Sequence, residues 1–241
     1  MKRLLFVALA AAIAAHPFDA AAQLFAPTPA TLEYLNFVGG SGVNGTMGVQ
    51  VGPYVGEFRA GGPSGPASAQ FSLYCVDYTH YATDQWVNSS ALSGGSGLAA
   101  TRLGSGGYAQ YQQAAYLSSL FESWNTLGFA GTRATVWSGI HAAIWSVTST
   151  PGPTVSGDTA AIRDALLTGS FATAASNFNT AGWYVLSSSA VAPHLGMNGQ
   201  EFLVRTVPVP EPSTLLLMVT GLFLLVGASR IVSGRHPNRD P

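Results

Sequence analysis

The chain of 241 residues contains a single cysteine, Cys75, so no disulfide within the chain can stabilise its fold. A hydrophobic core must therefore hold it together. The composition permits one, because 47% of the residues are hydrophobic and 5 Trp, 12 Phe and 9 Tyr supply large apolar groups. Only 9% of the residues are charged, against about 25% in average soluble domains, which disfavours an ordinary cytosolic enzyme.

The N-terminus has the pattern of a secretory signal peptide. Lys2 and Arg3 precede an apolar run over residues 4–15, and the small-residue motif Ala20-Ala21-Ala22 follows. The run is too short to span a membrane comfortably. We therefore predict that residues 1–22 are a signal peptide, removed by signal peptidase.

The C-terminus carries a second uncharged apolar segment, residues 213–229, which is followed by arginines at 230, 235 and 239. A helical residue rises about 1.5 Å and the bilayer core is about 30 Å thick, so this segment is just long enough to span it. Arginines after the span are expected on the cytoplasmic side, which places the preceding body outside. Residues 236–241 form a short polar tail.

The motif Pro210-Glu211-Pro212 stands directly before this apolar segment. With it, residues 208–235 resemble the PEP-CTERM sorting signal of Gram-negative bacteria. The resemblance implies processing by an exosortase and delivery through the inner membrane to the cell surface or an exopolysaccharide matrix. A plain C-terminal membrane anchor is the alternative, but it would leave the Pro-Glu-Pro motif without an explanation.

The exported body is expected to be one domain, residues 23–207. Between residues 23 and 209 there are five arginines, no lysine and eight acidic residues, a formal charge of −3, so nucleic acid is not an expected partner. Alternating apolar and polar residues predict strands in the first part and again near the end. Helical spacing of apolar residues in the middle predicts helices, with Thr132 as an N-cap. The order indicates an α+β fold, a β-sandwich or barrel-like sheet domain with a helical insertion.

The predicted elements can be given by their positions. Strands are expected over 31–58, interrupted by glycine-rich turns, and over 70–77, 183–187 and 202–206, and residues 93–107 are expected to be a flexible loop. The first helix is expected to bury Gln113, Tyr116, Leu117, Leu120, Phe121 and Trp124. The second helix is expected to bury Val136, Trp137, Ile140, Ile144 and Val147, and a third helix is expected over 158–175.

Three short motifs of the body resemble those of thioester domains, surface-adhesin modules in which a cysteine and a glutamine side chain are crosslinked. They are Leu73-Tyr74-Cys75-Val76-Asp77, Tyr111-Gln112-Gln113-Ala114-Ala115-Tyr116 and His141-Ala142-Ala143-Ile144-Trp145. The resemblance implies that the Cys75 strand faces the helix of His141. It also places the acyl donor at position 141, where an imidazole has no acyl group to give.

Three interpretations of this site stay open. The thioester is absent and the domain is a non-catalytic adhesive or structural module, which is the main expectation; or Gln112 or Gln113 replaces the missing donor; or Cys75 and His141 form a hydrolase-like dyad. Each residue also has an ordinary structural explanation: a buried cysteine behaves as a small apolar group, and an aspartate such as Asp77 often bonds backbone amides at a strand end.

His80, His141 and His194 lack the spacing of metal ligands, and no phosphate-binding or cofactor motif occurs, so we predict no metal, no cofactor and no enzyme activity.

Overall fold

The computed structural model describes residues 32–95, 97–188 and 199–206, which all belong to one compact unit that runs as far as Val207. A second unit, residues 208–241, lies outside the described residues. Within the described part, no helix is both long enough and apolar enough to cross a membrane. The predicted signal peptide, the Pro210-Glu211-Pro212 motif and the predicted span over 213–229 fall outside the described residues.

The described residues form six strands and four α-helices. The strands are β1 (Leu32–Gly39), β2 (Tyr54–Arg59), β3 (Phe71–Cys75), β4 (Gln85–Ala91), β5 (Trp183–Ser188) and β6 (Phe202–Arg205), and the helices are α1 (Tyr108–Ser119), α2 (Arg133–Thr148), α3 (Gly157–Leu166) and α4 (Gly169–Ser176). Short 3-10 helices occupy Leu98–Ala100, Ser105–Gly107 and Trp124–Thr126.

All six strands pair antiparallel and close into a barrel in the order β1-β2-β3-β6-β5-β4. The four helices come between β4 and β5 in the chain, although these two strands are neighbours in the barrel. The predicted class, a barrel-like α+β domain with a helical insertion, is therefore confirmed for the described residues.

Two predicted features of the helical insertion are confirmed in detail. Thr132 caps α2, because its side chain accepts a hydrogen bond from the backbone N–H of Thr135 at 3.4 Å. The apolar stripe of this helix is buried at Val136, Ile140 and Ile144, whereas Trp137 and Val147, also expected to be buried, are only half-buried. Helix α2 is therefore part of the hydrophobic core. It contacts the site described in the next subsection through Trp145.

Other predictions were wrong in detail. The expected third helix is two helices, because the chain turns at Gly169 with a φ of +56°, in the left-handed region that favours glycine. The loop 93–107 contains two 3-10 helices, and its Leu98 is fully buried. In the first helix the buried face is formed by Tyr111, Ala114, Ala115, Leu117 and Ser118, whereas Gln113, Tyr116 and Trp124 are only half-buried.

Strand β4 has no counterpart among the predictions. Its buried positions include Ser89 and Ser90, so the apolar alternation that signals a strand is missing from its sequence. The strand is nevertheless essential to the barrel, because it joins β1 to β5 and closes the sheet.

Candidate functional site

The site is built around Cys75, the last residue of β3, whose side chain is fully buried. Its sulfur has three hydrogen-bond partners among the described residues. The thiol donates to the carbonyl oxygen of Asp77 at 3.2 Å. Trp145 Nε1 of α2 donates to Sγ at 3.2 Å, and Gln200 Nε2 donates to it at 2.7 Å. A strand cysteine, a helix tryptophan and a carboxamide thus meet at one point in the core.

The register between β3 and β6 explains why Gln200 lies against the sulfur. Cys75 is opposite Phe202 in this antiparallel pair, and the N–H of Val76 donates to the carbonyl of Glu201 at 3.1 Å just beyond it. Gln200 stands two residues before Phe202, so its side chain emerges on the same face. Diagonal neighbours of this kind are close enough for long side chains to touch.

Several contacts hold the Gln200 carboxamide in place. Its Nε2 also donates to the carbonyl oxygen of Asp77 at 2.7 Å, and the Gln200 backbone carbonyl accepts from Gln85 Nε2 at 2.7 Å. Only 7% of Gln200 is exposed. A Cβ added at Gly199 would lie 1.4 Å from Gln85 Oε1, so a glycine is needed for the backbone to approach Gln85 this closely. The carboxamide is therefore positioned from both sides.

The arrangement places an acyl carbon near the sulfur. A carboxamide carbon lies about 1.3 Å from its nitrogen. Because Nε2 of Gln200 is 2.7 Å from Sγ, Cδ can be no more than about 4 Å away. Reacting atoms in near-attack geometries are about 3–3.5 Å apart. The upper limit of the Sγ–Cδ distance is therefore close to this range.

Burial makes the Cys75 environment apolar and dry. Loss of hydration raises the pKa of the thiol to about 12, and the hydrogen bonds from Trp145 and to Asp77 offset this only in part. The thiolate that a cysteine hydrolase needs at neutral pH is therefore strongly disfavoured. Exclusion of water is, in contrast, the condition under which a reactive acyl bond persists.

His141 lies in the same region but does not serve as a partner of the sulfur. Its ring stacks on Trp145 with centroids 4.6 Å apart and planes within 4°, and its Nδ1 accepts a hydrogen bond from the N–H of Gly52 at 3.1 Å. Strand β3 and helix α2 are thus neighbours through Trp145, as the resemblance requires. Nε2 of His141 is buried without a hydrogen-bond partner. Because Nδ1 accepts, the proton of the neutral ring is on Nε2.

Burial lowers the pKa of His141 to about 3, so the imidazole stays neutral in the folded protein at all ordinary pH values. An unfolded chain would take up a proton near pH 6.5, where an unperturbed histidine titrates. The free energy of unfolding should therefore decrease as the pH falls from about 6.5 toward 3. One pH unit below 6.5 it should be about 1.4 kcal/mol lower than at alkaline pH, where the imidazole of the unfolded chain is also neutral.

Replacing His141 by glutamine should remove this part of the acid sensitivity, since an amide oxygen can still accept from Gly52 and does not titrate. Thermal unfolding at pH 7 and pH 5 checks this, and the decrease in Tm on acidification should be smaller in the variant than in the wild type. Equal decreases in both proteins would show that His141 does not titrate as inferred.

The glutamines proposed from sequence as replacement donors do not meet the sulfur. Gln112 and Gln113 lie half-buried on α1, and Gln112 Nε2 donates to the carbonyl of Phe178 at 2.9 Å. In the part of the chain that is described, no cluster of three or more histidine, cysteine or acidic side chains could hold a metal ion.

Two charged residues, the buried Glu201 and the exposed Arg102, form a hydrogen-bond network beside the Cys75 segment. Arg102 donates through its side chain to the carbonyls of Val76 at 3.1 Å and Thr148 at 2.6 Å, and its backbone N–H donates to Glu201 Oε1 at 2.9 Å. Glu201 also accepts from the hydroxyls of Ser187, at 2.6 Å, and Tyr111. The network ties β3, α2 and β6 together, and these are the three segments that supply Cys75, Trp145 and the Gln200 region.

Gln200 is the residue of this candidate site that sequence reasoning missed. Its position two residues before the last predicted strand was a usable signal, because a residue at a strand end can project toward the neighbouring strand. The identity of that neighbouring strand, β3, could not be read from the sequence. Trp145 entered the sequence analysis only as the last residue of the third motif, and the structure adds its hydrogen bond to Cys75.

Comparison of the chain with protein-family models, with curated proteins and with solved structures gave no match.

Proposed function

We propose that this chain is an exported cell-envelope protein whose barrel domain carries an internal thioester between Cys75 and Gln200, and that it acts as a covalent adhesive module of the surface or matrix. The observation that carries the proposal is the 2.7 Å contact between the Gln200 carboxamide and the Cys75 sulfur inside a buried pocket. The thioester-domain resemblance of the Cys75 and Trp145 motifs supports it. The donor is Gln200 in place of position 141, Gln112 or Gln113.

The proposed bond forms by a balanced substitution without any oxidant. Sγ of Cys75 attacks Cδ of Gln200, the Sγ–Cδ bond forms, and the Cδ–Nε2 bond breaks. The thiol proton leaves with the amide nitrogen, which departs as one ammonia. The raised pKa of Cys75 makes this sulfur a weak nucleophile in isolation, so the reaction depends on proximity, which can contribute roughly 7–11 kcal/mol.

The stored acyl group would then react with an amine of a target surface. The amine nitrogen bonds to Cδ of Gln200, the Sγ–Cδ bond breaks, and Cys75 is regained as a free thiol. The product is an amide that links the protein covalently to its target. Each molecule reacts once, so the proposed activity is single-turnover adhesion rather than enzyme turnover.

The sorting part of the proposal follows from the sequence ends. Signal peptidase would remove residues 1–22, and an exosortase would process the chain near Pro210-Glu211-Pro212 while residues 213–229 hold it in the inner membrane. The final location would be the cell surface or extracellular matrix of a Gram-negative bacterium, where an exopolysaccharide or another surface ligand is the partner. No nucleic acid, metal or cofactor takes part in this proposal.

The Cys75/His141 hydrolase is the least supported alternative. Trp145, and not His141, contacts the sulfur, and burial disfavours both the thiolate of Cys75 and the imidazolium of His141. A purely structural module without a crosslink is the remaining alternative. It explains the burial of Cys75 and gives the Gln200 carboxamide the role of a buried donor that is satisfied by its hydrogen bonds to Cys75 and Asp77.

The test is capture of a primary amine by the purified full-length protein. Incubation with a biotinylated amine should attach the label to the peptide that contains Gln200 and should release one titratable thiol at Cys75. Cys75→Ala is the control, and it should remain unlabelled because no acyl group is stored. Absence of label in the wild type, or equal labelling of both proteins, would refute the covalent function.

A further inference from the structure

We propose that His80, held by the buried carboxylate of Asp77, is the proton acceptor for the amine that attacks the thioester. The inference deepens the proposed function and rests on it. It assigns a role to a histidine that the sequence offered only as an unsuitable metal ligand.

Asp77 joins the reactive pair to this histidine. Its backbone carbonyl accepts from both Cys75 Sγ, at 3.2 Å, and Gln200 Nε2, at 2.7 Å. Its side chain, 1% exposed, turns to the other side and lies 2.5 Å from Nδ1 of His80 through Oδ2. Its Oδ1 accepts from the N–H and the hydroxyl of Thr79 at 3.0 and 2.7 Å. Asp77 therefore contacts the reactive pair through its backbone carbonyl and His80 through its side chain.

The carboxylate also decides which nitrogen of His80 is the base. A carboxylate accepts hydrogen bonds, so Nδ1 carries the proton, and Nε2 of the neutral ring keeps its lone pair. Among the described residues no hydrogen bond engages Nε2. The side chain is 29% exposed, so the ring stands at the boundary between the buried site and solvent. This is the arrangement of a base that is oriented by a third group.

The exposed fraction of the side chains increases from Cys75 toward the residues that follow β3. Cys75 is fully buried and Trp145 is 3% exposed, whereas Tyr78, whose ring lies 5.1 Å from that of Trp145, is 41% exposed. The segment after β3 that carries Tyr78 and His80 therefore forms the solvent side of the site.

The reaction itself requires a proton transfer at this point. Attack by a neutral amine on Cδ leaves the nitrogen with a surplus proton, and the breaking Sγ–Cδ bond leaves the sulfur in need of one. Nε2 of His80 would accept the proton from the nitrogen as the Cδ–N bond forms. The protonated ring would then return it to Cys75, so that the balance is one amide and one thiol. Burial makes a free thiolate costly here, which favours a pathway that supplies this proton.

Other charged groups near the carboxylate are less suited to this role. Arg102 Nε lies 3.7 Å from Oδ2 of Asp77, but a guanidinium stays protonated and cannot accept a proton. His141 uses Nδ1 to bind Gly52, and its remaining nitrogen carries a proton. His80 is therefore the imidazole of this region with a lone pair directed away from the protein core.

The test compares rates of methylamine capture by full-length wild type, His80→Ala and Tyr81→Ala, followed by intact mass. Tyr81 is 89% exposed in the same segment and is the matched control, expected to react like the wild type. General-base assistance typically contributes about 10²- to 10⁴-fold, so His80→Ala should capture methylamine at least about 10²-fold more slowly. Added free imidazole should restore much of the rate in His80→Ala and should change the wild-type rate little. A merely structural role would give no such rescue.

The intact masses measured before methylamine is added distinguish failure of the His80 role from failure of the thioester itself. Wild type and His80→Ala should both begin lighter by one ammonia, because His80 is not needed to hold Gln200 against Cys75. If both show this loss and capture methylamine at equal rates, or if imidazole gives no rescue, the role of His80 is refuted while the thioester stands. If the wild type shows no loss of ammonia, the thioester itself is refuted, and the role of His80 is refuted with it.

Discussion

Replacing Gln200 by methionine should abolish amine capture, whereas Gln112→Met and Gln113→Met should capture amine at the wild-type rate. Methionine resembles glutamine in length and has no acyl carbon, so the change removes the donor while keeping much of the side-chain volume. Gln112 and Gln113 lie on α1, and Gln112 is bonded to the carbonyl of Phe178 rather than to the sulfur. Labelling of the four full-length proteins with the same biotinylated amine measures the difference.

The expected effect is all-or-none because, among the described residues, Gln200 supplies the one side-chain carboxamide that is hydrogen-bonded to Sγ of Cys75. Thermal unfolding should accompany the labelling, so that loss of label in a folded Gln200→Met protein is separated from loss of the fold. Full labelling of Gln200→Met would show that the donor lies elsewhere. Loss of label in Gln113→Met with retention in Gln200→Met would reassign the donor to α1.

The physical character of the site favours storage of a bond over repeated catalysis. A hydrolase must stabilise a thiolate and admit water, but the Cys75 environment raises the thiol pKa to about 12 and leaves the sulfur fully buried. An internal thioester is neutral, so burial imposes no such electrostatic penalty on it. The same burial keeps water from the acyl carbon.

Local patterns in the sequence were sufficient for the strand and the helix that supply Cys75 and Trp145. Alternation predicted β3 and its cysteine, and the spacing of apolar residues with Thr132 as cap predicted α2. These signals are reliable because strand and helix periodicities are set by the backbone itself. The thioester-domain resemblance, and not periodicity, predicted that Cys75 and the helix of His141 are neighbours, and the contact between Cys75 and Trp145 confirms this.

The donor could not be predicted because it depends on a contact between distant parts of the chain. Gln200 is 125 residues from Cys75, and only the pairing of β3 with β6 brings them together. That pairing is part of a barrel that closes through β4. The buried serines of β4 obscure the alternation of apolar and polar residues by which a strand is recognised in a sequence. The resemblance placed the donor at position 141 instead, where the structure has a neutral, fully buried imidazole.

The intact mass of the purified full-length protein tests the thioester most directly. If Cys75 and Gln200 are crosslinked, the denatured wild type should be lighter by one ammonia than its sequence requires, and it should show no titratable thiol. Cys75→Ala and Gln200→Met, prepared in the same way, should each have the full mass of their own sequences, because each lacks one partner of the bond. A wild-type protein of full mass with one titratable thiol would contradict the account and leave a barrel domain without a crosslink.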